Sequence, residues 1–422
     1  MTKDQARPQS QTRGSTRELL RRLHPARAGA LYALIVIVFT FQFLTSHDGL
    51  PSFLSVSNVR NLLDQSALDG MLVVSMTVLL ITGNFDLSVG ASAGFSGAVG
   101  LSVANHAGPV AGLLAAVFAG VCVGLLNGVV VQMVGVNSFI TTLGMLTALE
   151  GALLVVTNGN TILAGSKAGT FGGLGTASWS VNRYLVIVIG VLCILWVAQW
   201  LYRRRLSEDV SGTPSVAAAV SFLGIGLVLI AVLTPGILGE SRETWVMLGS
   251  VVLVSLVLRF TVVGRRAYAV GGSVEAARLS GINVTRYKIM PFVLVGVAAG
   301  IAGVMYAGKF GAVDPTALTS EELPVIAAAV LGGTSLFGGA GYVTKSVIGT
   351  LILVTLADGF GVTNLSANYQ YLVQGGVIIA AASIYTVAGK QRFSKRKAVT
   401  SPTEDVVVTE SEVTVEPQKV AR

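Results

Sequence analysis

Long apolar runs, separated by short polar stretches, dominate the chain. A transmembrane helix needs roughly 20 apolar residues to cross a hydrocarbon core about 30 Å thick, and most of the runs reach that length. The pattern therefore predicts an all-α polytopic membrane protein with about 10–12 transmembrane helices. The predicted spans lie at 28–45, 67–82, 87–104, 109–131, 138–157, 184–201, 216–238, 244–263, 289–309, 322–338, 343–357 and 369–388.

Two pairs of runs are short and interrupted by glycine, namely 67–82 with 87–104 and 322–338 with 343–357. Backbone that leaves the helix at membrane depth is tolerated only where it is buried in protein or lines a cavity. Either pair could therefore include a re-entrant segment. Both ten and twelve crossings agree with the charges of the loops.

Basic residues cluster at four places, and each cluster is predicted to be cytoplasmic because Lys and Arg concentrate on that side of a membrane. An even number of crossings places all four on one side, with both termini in the cytoplasm and the loop at 158–183 outside. The chain is divided accordingly into a basic cytoplasmic arm at 1–27, a transmembrane domain at 28–389 and a disordered cytoplasmic tail at 390–422. The clusters are the N-terminal arm, Arg203–Arg205, the stretch from Arg265 to Lys288, and the stretch from Lys390 to Lys397.

Composition supports this assignment. Hydrophobic residues make up 52% of the chain, charged residues only 12%, and 50 residues are glycine. Small residues are typical of packed transmembrane helices because they let the backbones approach closely.

The basic clusters at span ends account for the net charge of +8, so no nucleic-acid partner is predicted. Cys122 and Cys193 lack the spacing of a metal site, and no cofactor or catalytic site is predicted.

The polar stretch at 271–283 has the signature of a short helix with a signal at each end. Ser273 can cap the first turn, Glu275 lies near the positive end and Arg278 near the negative end. Gly281 can adopt the left-handed conformation that stops a helix. An ordinary capped loop between two spans is the alternative to a helix that docks in a groove of another protein. The face predicted for docking consists of small residues and comprises Ala276, Ala277 and Leu279.

The stretch at 81–90 interrupts an apolar region with Asn84, Asp86 and Ser88. A carboxylate at this depth is costly unless it faces water or a polar partner, which makes these three residues candidates for a translocation pathway. The alternative is structural, with Asp86 capping the start of the next helix, and we favour it for Asp86 itself. The break can border a pathway in either case.

Three further polar residues in or beside apolar runs are pathway candidates. Asn127 lies in an apolar run and needs a hydrogen-bond partner. A contact with another helix is the favoured role for it, and pore lining is the alternative. Asn137 is predicted to start a helix at the cytoplasmic face. Glu150 lies near the middle of a span and could bind a proton or an ion, although no second intramembrane acid is expected to form a relay with it.

The glycine-rich stretch at 331–346 has a superficial likeness to a phosphate-binding loop. It is not a P-loop, because Thr344 rather than glycine precedes Lys345. A hinge or a membrane-embedded turn is predicted instead, with Thr334 and Ser335 as pathway candidates. The chain is therefore not expected to bind ATP itself.

Several of these stretches together resemble the membrane-spanning permease subunits of bacterial ABC sugar importers of the ribose/galactose/xylose type. The resemblance covers most of 55–390, and the added region at 184–266 makes it most similar to xylose permeases. One difference is that Ser273 and Val274 replace the family's Asn-Pro, which removes a rigid proline but keeps a capping side chain. The matching stretches are Ile81–Gly90, Val136–Gly144, Thr157–Gly159, Gly271–Asn283 and Leu331–Gly341.

The resemblance implies a permease homodimer in the lipid of the bacterial inner membrane, two cytoplasmic ABC ATPase subunits and a periplasmic or lipid-anchored sugar-binding protein. It also implies that the loop helix docks on the ATPase. The residues carried over to this role are Glu275, Ala276, Ala277, Arg278, Leu279 and Gly281.

The sequence thus predicts a non-enzymatic subunit that conducts a monosaccharide inward while a partner hydrolyses ATP. Ribose, galactose and small polar solutes such as amino acids are alternative substrates to xylose. Two other classes stay open. One is an ion-coupled secondary transporter with Glu150 as its coupling site, and the other is a membrane scaffold or receptor without transport.

Overall fold

The computed structural model describes residues 25–47, 49–171 and 241–363, together with scattered helical positions between 191 and 198 and between 369 and 379. Several predictions lie outside the described residues: nearly all of the basic arm, the spans at 184–201 and 216–238, most of the span at 369–388, the basic clusters at 203–205 and 390–397, and the tail at 390–422. The division of the chain into these domains stays a prediction.

The described residues form eleven α-helices and two very short strands. Seven helices (α1, α2, α4, α5, α6, α9 and α11) are long and apolar enough to cross a membrane, which confirms the all-α polytopic fold. The elements are α1 Pro25–His47, α2 Val56–Ile81, α3 Val89–Ala107, α4 Pro109–Val129, α5 Ser138–Thr157, β1 Ile162–Leu163, α6 Arg242–Phe260, α7 Val262–Gly272, α8 Val274–Leu279, α9 Val284–Phe310, β2 Ala312–Val313, α10 Glu322–Leu331 and α11 Val343–Val362. A π-helical turn, Val130–Val134, extends α4, and a 3₁₀ helix covers Ser166–Phe171.

Two predicted spans differ from the observed helices by more than five residues at one end. Helix α2 starts at Val56 rather than at 67. Ser55 caps this start, and its side chain accepts a hydrogen bond from the backbone N–H of Asn58. The polar residues in its first turns conceal this start from a hydropathy pattern. The predicted span at 322–338 is not one helix, because α10 ends at Leu331 and a turn follows.

Strands β1 and β2 join the ends of two distant helices. They pair antiparallel, with Ile162 opposite Val313 and Leu163 opposite Ala312. Because β1 follows α5 and β2 follows α9, the C-terminal ends of both helices lie on one face of the bundle. The basic loop that contains α7 and α8 precedes α9 and so lies on the opposite face, which its basic residues predict to be the cytoplasmic one.

Helix α9 is the centre of the bundle and packs against α2, α3 and α4. The α4–α9 contact is close because it is lined with glycine. A Cβ atom added to Gly120 would collide with the carbonyl oxygen of Gly296, and the reverse substitution would collide with the carbonyl oxygen of Gly120. This is the small-residue packing expected between transmembrane helices.

The segment after β2 turns back into the bundle. The carbonyl oxygens of Ala317 and Leu318 lie against Gly94 and Gly90 of α3. Helix α10 then runs for ten residues, or about 15 Å, which is about half the thickness of the hydrocarbon core. The structure therefore places a half-length helix in the second of the two pairs of runs that could include a re-entrant segment.

Candidate functional site

The loop helix α8 has both of the predicted end signals. The side chain of Ser273 accepts a hydrogen bond of 3.2 Å from the backbone N–H of Ala276. At the other end Gly281 has a φ of 74°, in the left-handed region that favours glycine. Glu275 lies in the first turn and Arg278 in the last, so both charges match the helix dipole.

The exposed face of α8 differs from the predicted one. Ala277 is buried in a small cluster with Val270, Val284 and Tyr287, so it holds the helix to the rest of the chain. Leu279, by contrast, is 91% exposed, so its side chain makes little contact with the rest of the described chain. The face left open to a partner consists of Glu275, Ala276, Arg278 and Leu279.

Helix α7 connects α8 to two interruptions of the bundle. Gly271 leaves no room for a side chain, because an added Cβ would collide with the carbonyl oxygen of Ile81 and lie 2.7 Å from the backbone nitrogen of Gly339. Gly339 donates its N–H to that same carbonyl at 2.9 Å. The hydroxyl of Tyr268 donates to the carbonyl of Gly341 at 2.7 Å.

The three polar stretches of the sequence, at 81–90, 271–283 and 331–341, therefore meet at one cytoplasmic junction. The pKa of Tyr268 is raised above its ordinary value, mainly by burial and to a smaller extent by the neighbouring Tyr342. Its hydroxyl consequently stays protonated and able to donate. A displacement of α8 can reach both interruptions directly through α7.

Asp86 does not cap α3, contrary to the favoured interpretation. The N-cap position is Ser88, which makes no side-chain capping bond. Instead, Oδ1 of Asp86 accepts from the backbone N–H of Ser88 at 2.7 Å and from its hydroxyl at 2.6 Å. Asp86 is therefore structural, but it holds a turn before the helix rather than the helix end.

Asn127 of α4 completes this buried group. Its amide donates to Oδ2 of Asp86 at 3.2 Å and to the hydroxyl of Ser88 at 2.9 Å. All three side chains are almost completely buried. This geometry favours the predicted contact between helices over pore lining, because the amide nitrogen of Asn127 is turned toward Asp86 and Ser88.

The other predicted pathway residues shape turns. Asn84 is buried in the break. Asn137 caps α5 as predicted, and its side chain accepts from the backbone of Phe139 at 2.8 Å. Thr334 is buried and hydrogen-bonded to Ser346 at 3.0 Å, while Ser335 accepts from the backbone of Phe337 at 3.2 Å.

Glu150 has acidic neighbours that the sequence analysis missed. It is half-buried on α5 and interacts electrostatically with Glu322 at the start of α10. Glu321 in turn interacts with Asp69, near the middle of α2. Helix α10 thus brings two acids back into the bundle on the side of Glu150, while the expectation that no second acid forms a relay with Glu150 stays a prediction.

A cavity of about 340 Å³ with both apolar and polar walls lies among α2, α9, α10, α11 and the helical positions after 369, and none of the predicted pathway residues lines it. The signal that could have revealed it is a charged residue inside a predicted span, such as Asp69 within 67–82. The polar lining residues are Gln65, Asp69, Tyr306, Lys309, Glu321, Thr350, Gln370 and Gln374.

Tyr306, one of the lining residues, is hydrogen-bonded to Asp314, which follows β2. Its carboxylate accepts from the hydroxyl of Tyr306 at 2.8 Å and from the backbone and hydroxyl of Thr316 at 2.9 and 2.8 Å. Partial burial opposes ionisation of Asp314, but these hydrogen bonds outweigh it and hold its pKa below the ordinary value. The re-entrant segment is thereby fastened to the outer end of α9.

The described part of the chain is a bundle of helices long enough to span a membrane, and its exposed loop helix α8 is connected through α7 to both internal breaks. Comparison with known families identifies the class of this membrane protein. The chain belongs to the family described as "Branched-chain amino acid transport system / permease component", whose model matches residues 58–162 and 151–382. It is a multi-pass membrane permease component.

Among similar proteins, the xylose transport system permease protein XylH of Escherichia coli (strain K12) is 35% identical over 83% of this chain and 88% of its own length. The L-arabinose ABC transporter permease protein AraH of Azospirillum brasilense is 33% identical over 85% and 90%. The ribose import permease protein RbsC of Escherichia coli (strain K12) is 32% identical over 84% and 91%. No solved structure matches the chain.

Proposed function

We propose that the chain is the permease subunit of an ATP-driven importer that moves a monosaccharide, foremost xylose or another pentose, into the cell. The similar proteins named above are permeases for xylose, L-arabinose and ribose, and the similarity extends over most of each. The chain conducts the sugar and leaves ATP hydrolysis to a partner.

One observation carries the coupling role, namely the position of α8. Its open face ends in the exposed side chain of Leu279, while its buried Ala277 ties it to α9 through Val284 and Tyr287. A partner that binds this face and moves can therefore displace α8, and with it the helices of the bundle that α8 contacts. We assign the partner as a cytoplasmic ABC ATPase, one copy for each permease of a homodimer.

We assign the remaining partners to the opposite face and to the apolar sides of the bundle. A periplasmic or lipid-anchored sugar-binding protein delivers its ligand to the outer ends of α5 and α9, which β1 and β2 join. Membrane lipid surrounds the apolar helices. ATP binding and hydrolysis alternate the pathway between outward- and inward-facing states by moving the junction of α7 with the two breaks.

The alternative mechanism is an ion-coupled secondary transporter that uses Glu150. Its neighbour Glu322 supplies the second acid that a proton relay requires, which is the observation in its favour. Membership of a family of permease components that work in larger transport systems favours the ATP-driven importer.

The identity of the substrate is tested by measuring sugar uptake in cells that express the chain and in cells that lack it. Radiolabelled D-xylose, L-arabinose and D-ribose are compared with L-leucine, since the family's description names amino acids. We expect loss of pentose uptake in cells that lack the chain, with L-leucine uptake unchanged. Uptake that survives ATP depletion under a maintained proton gradient, and that Glu150→Gln abolishes, would instead establish the secondary transporter.

Co-purification from gently solubilised native membranes tests the partners. We expect a tagged chain to retain an ABC ATPase, and a chain with Glu275→Ala and Arg278→Ala in α8 to lose it. A chain recovered alone in both cases would contradict the importer.

A further inference from the structure

Helices α6 and α7 meet at a bend on the face that the basic residues predict to be cytoplasmic. Thr261 joins them with extended backbone, at a φ of −100° and a ψ of 163°. Its hydroxyl donates to the carbonyl oxygen of Val257 at 2.7 Å and accepts from the backbone N–H of Gly264 at 3.3 Å. A Cβ atom added to Gly264 would collide with the backbone of Leu258, so α7 folds back against the end of α6.

Helix α7 crosses the ends of the spanning helices instead of extending away from them. Val270 is buried together with Val284 at the start of α9. The next residue, Gly271, lies against the carbonyl oxygen of Ile81 at the end of α2. Helix α7 therefore lies along the surface of the bundle where the spans end, with one side packed and the other open.

The open side of the bend carries three exposed apolar side chains, Phe260, Val262 and Val263, which we name the bend cluster. The cluster continues a stripe of exposed apolar residues on α6. Because lipid tails are as apolar as leucine, such a stripe on a spanning helix can face the membrane. The bend cluster then lies at the depth where acyl chains meet headgroups, a region that apolar side chains of surface helices enter. The stripe consists of Leu248, Val252, Leu253 and Leu256.

Two exposed arginines flank the bend cluster. The guanidinium of Arg259 lies 5.4 Å from the centre of the Phe260 ring, within the range of a cation–π contact. Arg266 follows Val262 by one turn of α7 and donates a hydrogen bond of 3.4 Å to the hydroxyl of Tyr287. Neither arginine is paired with a carboxylate of the residues that the structure describes. Each therefore keeps N–H groups that can bind an anion.

The chemistry of the bend fits an anionic phospholipid. The planar guanidinium of arginine binds phosphate oxygens through two parallel hydrogen bonds, and the bend cluster offers an apolar surface to the acyl chains. A soluble phosphate would leave that apolar surface unused. The wider loop attracts anions as well, because 259–288 contains six basic residues and one acidic residue, Glu275. Basic residues just beyond a spanning helix are typical sites for anionic lipid.

We propose that the bend between α6 and α7 binds the headgroup of an anionic phospholipid through Arg259 and Arg266, with the acyl chains against the bend cluster. This inference goes beyond the proposed function and does not depend on the sugar that is carried. The opposite end of α7 holds Gly271 at the junction with the two breaks. A lipid bound at the bend therefore fastens α7 to the membrane and links the junction to the lipid composition.

Lipid binding by the purified full chain in detergent, measured by native mass spectrometry, tests the site. Phosphatidylglycerol is the anionic probe and phosphatidylcholine the zwitterionic comparison, while glycerol 3-phosphate supplies the phosphate without acyl chains. Arg259→Gln and Arg266→Gln are compared with Arg278→Gln, which removes an exposed arginine from α8 in the same loop. Thermal unfolding without added lipid checks that the three variants are folded.

We expect Arg259→Gln and Arg266→Gln each to raise the Kd for phosphatidylglycerol about fivefold, which corresponds to about 1 kcal/mol for each basic residue. Arg278→Gln should raise it less than about twofold, because a charge farther from the headgroup is screened. Equal losses in all three variants would overturn the site, since the charge of the whole loop would then attract the lipid. Phosphatidylcholine that binds as tightly as phosphatidylglycerol, or competition by glycerol 3-phosphate, would overturn it too.

A quenching experiment tests whether lipid or the ATPase covers the bend. A fluorophore is attached to Val262→Cys in a chain with Cys122 and Cys193 replaced by serine. The chain is reconstituted into phosphatidylglycerol nanodiscs that contain lipid with a nitroxide near its headgroup, and Leu279→Cys, on the exposed face of α8, is the matched control. We expect the probe at Val262 to be quenched several-fold more than the probe at Leu279, whether or not the ATPase is bound. Equal quenching at both positions, or quenching at Val262 that the ATPase removes, would overturn the proposal.

Discussion

The backbone N–H of Gly339 donates a 2.9 Å hydrogen bond to the carbonyl oxygen of Ile81, which joins the end of α2 to the turn before α11. Gly271 of α7 packs against the same two groups. The contact brings together the two interruptions of the bundle and the cytoplasmic loop. A movement of the loop helix therefore has a short, direct route to both interruptions.

Gly271→Ala tests this route. The added methyl group would collide with the backbone at Ile81, so something must shift, and we expect the ATPase stimulated by the loaded binding protein to fall several-fold. Gly272→Ala is the matched control, since nothing lies within 4 Å of a Cβ built there. ATPase activity of the complete importer in proteoliposomes is the measurement, and equal behaviour of the two variants would contradict the route.

Leu279→Ser tests the docking face. Because this side chain is 91% exposed, we expect the thermal stability of the purified chain to change by less than about 0.5 kcal/mol. Retention of the ATPase during purification should nevertheless fall, since the apolar contact with the partner is lost. Ala277→Ser provides the contrast, because it places a hydroxyl among buried apolar side chains and should destabilise the chain itself. Unchanged ATPase retention in Leu279→Ser would exclude this face.

Gly281→Val should uncouple ATP hydrolysis from transport while the chain still inserts into the membrane. The backbone φ of Gly281 is 74°, a conformation that costs a β-branched residue about 1–2 kcal/mol or more. The end of α8 must therefore rearrange in Gly281→Val. Membrane fractionation checks insertion, and uptake together with stimulated ATPase activity checks coupling. Gly281→Asn, which tolerates this conformation better, should retain more of both activities. Normal transport by Gly281→Val would count against the docking role of α8.

Asn127→Leu should destabilise the bundle through a different contact. The substitution removes the amide that donates to Asp86 and Ser88 and leaves a buried carboxylate with fewer partners, at a cost of about 1–3 kcal/mol. Thermal unfolding of the chain in detergent measures the change. Asn105→Ala, which removes two solvent-exposed hydrogen bonds of a half-buried residue, should cost less. Equal losses would show that Asn127 does not join the helices as described.

Local features of this protein were predictable from local sequence. Ser273 and Gly281 end α8 as their capping chemistry predicts, and Asn137 starts α5, because a helix end is decided by a few neighbouring residues. Hydropathy alone identified the membrane class, since a span needs only length and apolar composition. The start of α2 at Val56 was missed because its first turns are polar.

The sequence by itself therefore determined the membrane fold, the likeness to sugar permeases and the capped loop helix. Only the tertiary structure decided that Ile81, Gly271 and Gly339 meet, that Asp86 serves a turn, and that Asp69 shares a cavity with Glu321 and Lys309. The physical reason is that these residues come from distant helices, and a helix of mostly apolar residues does not reveal which face it turns inward. That face is set by backbone contacts such as Gly120 against Gly296, which form only when the bundle packs.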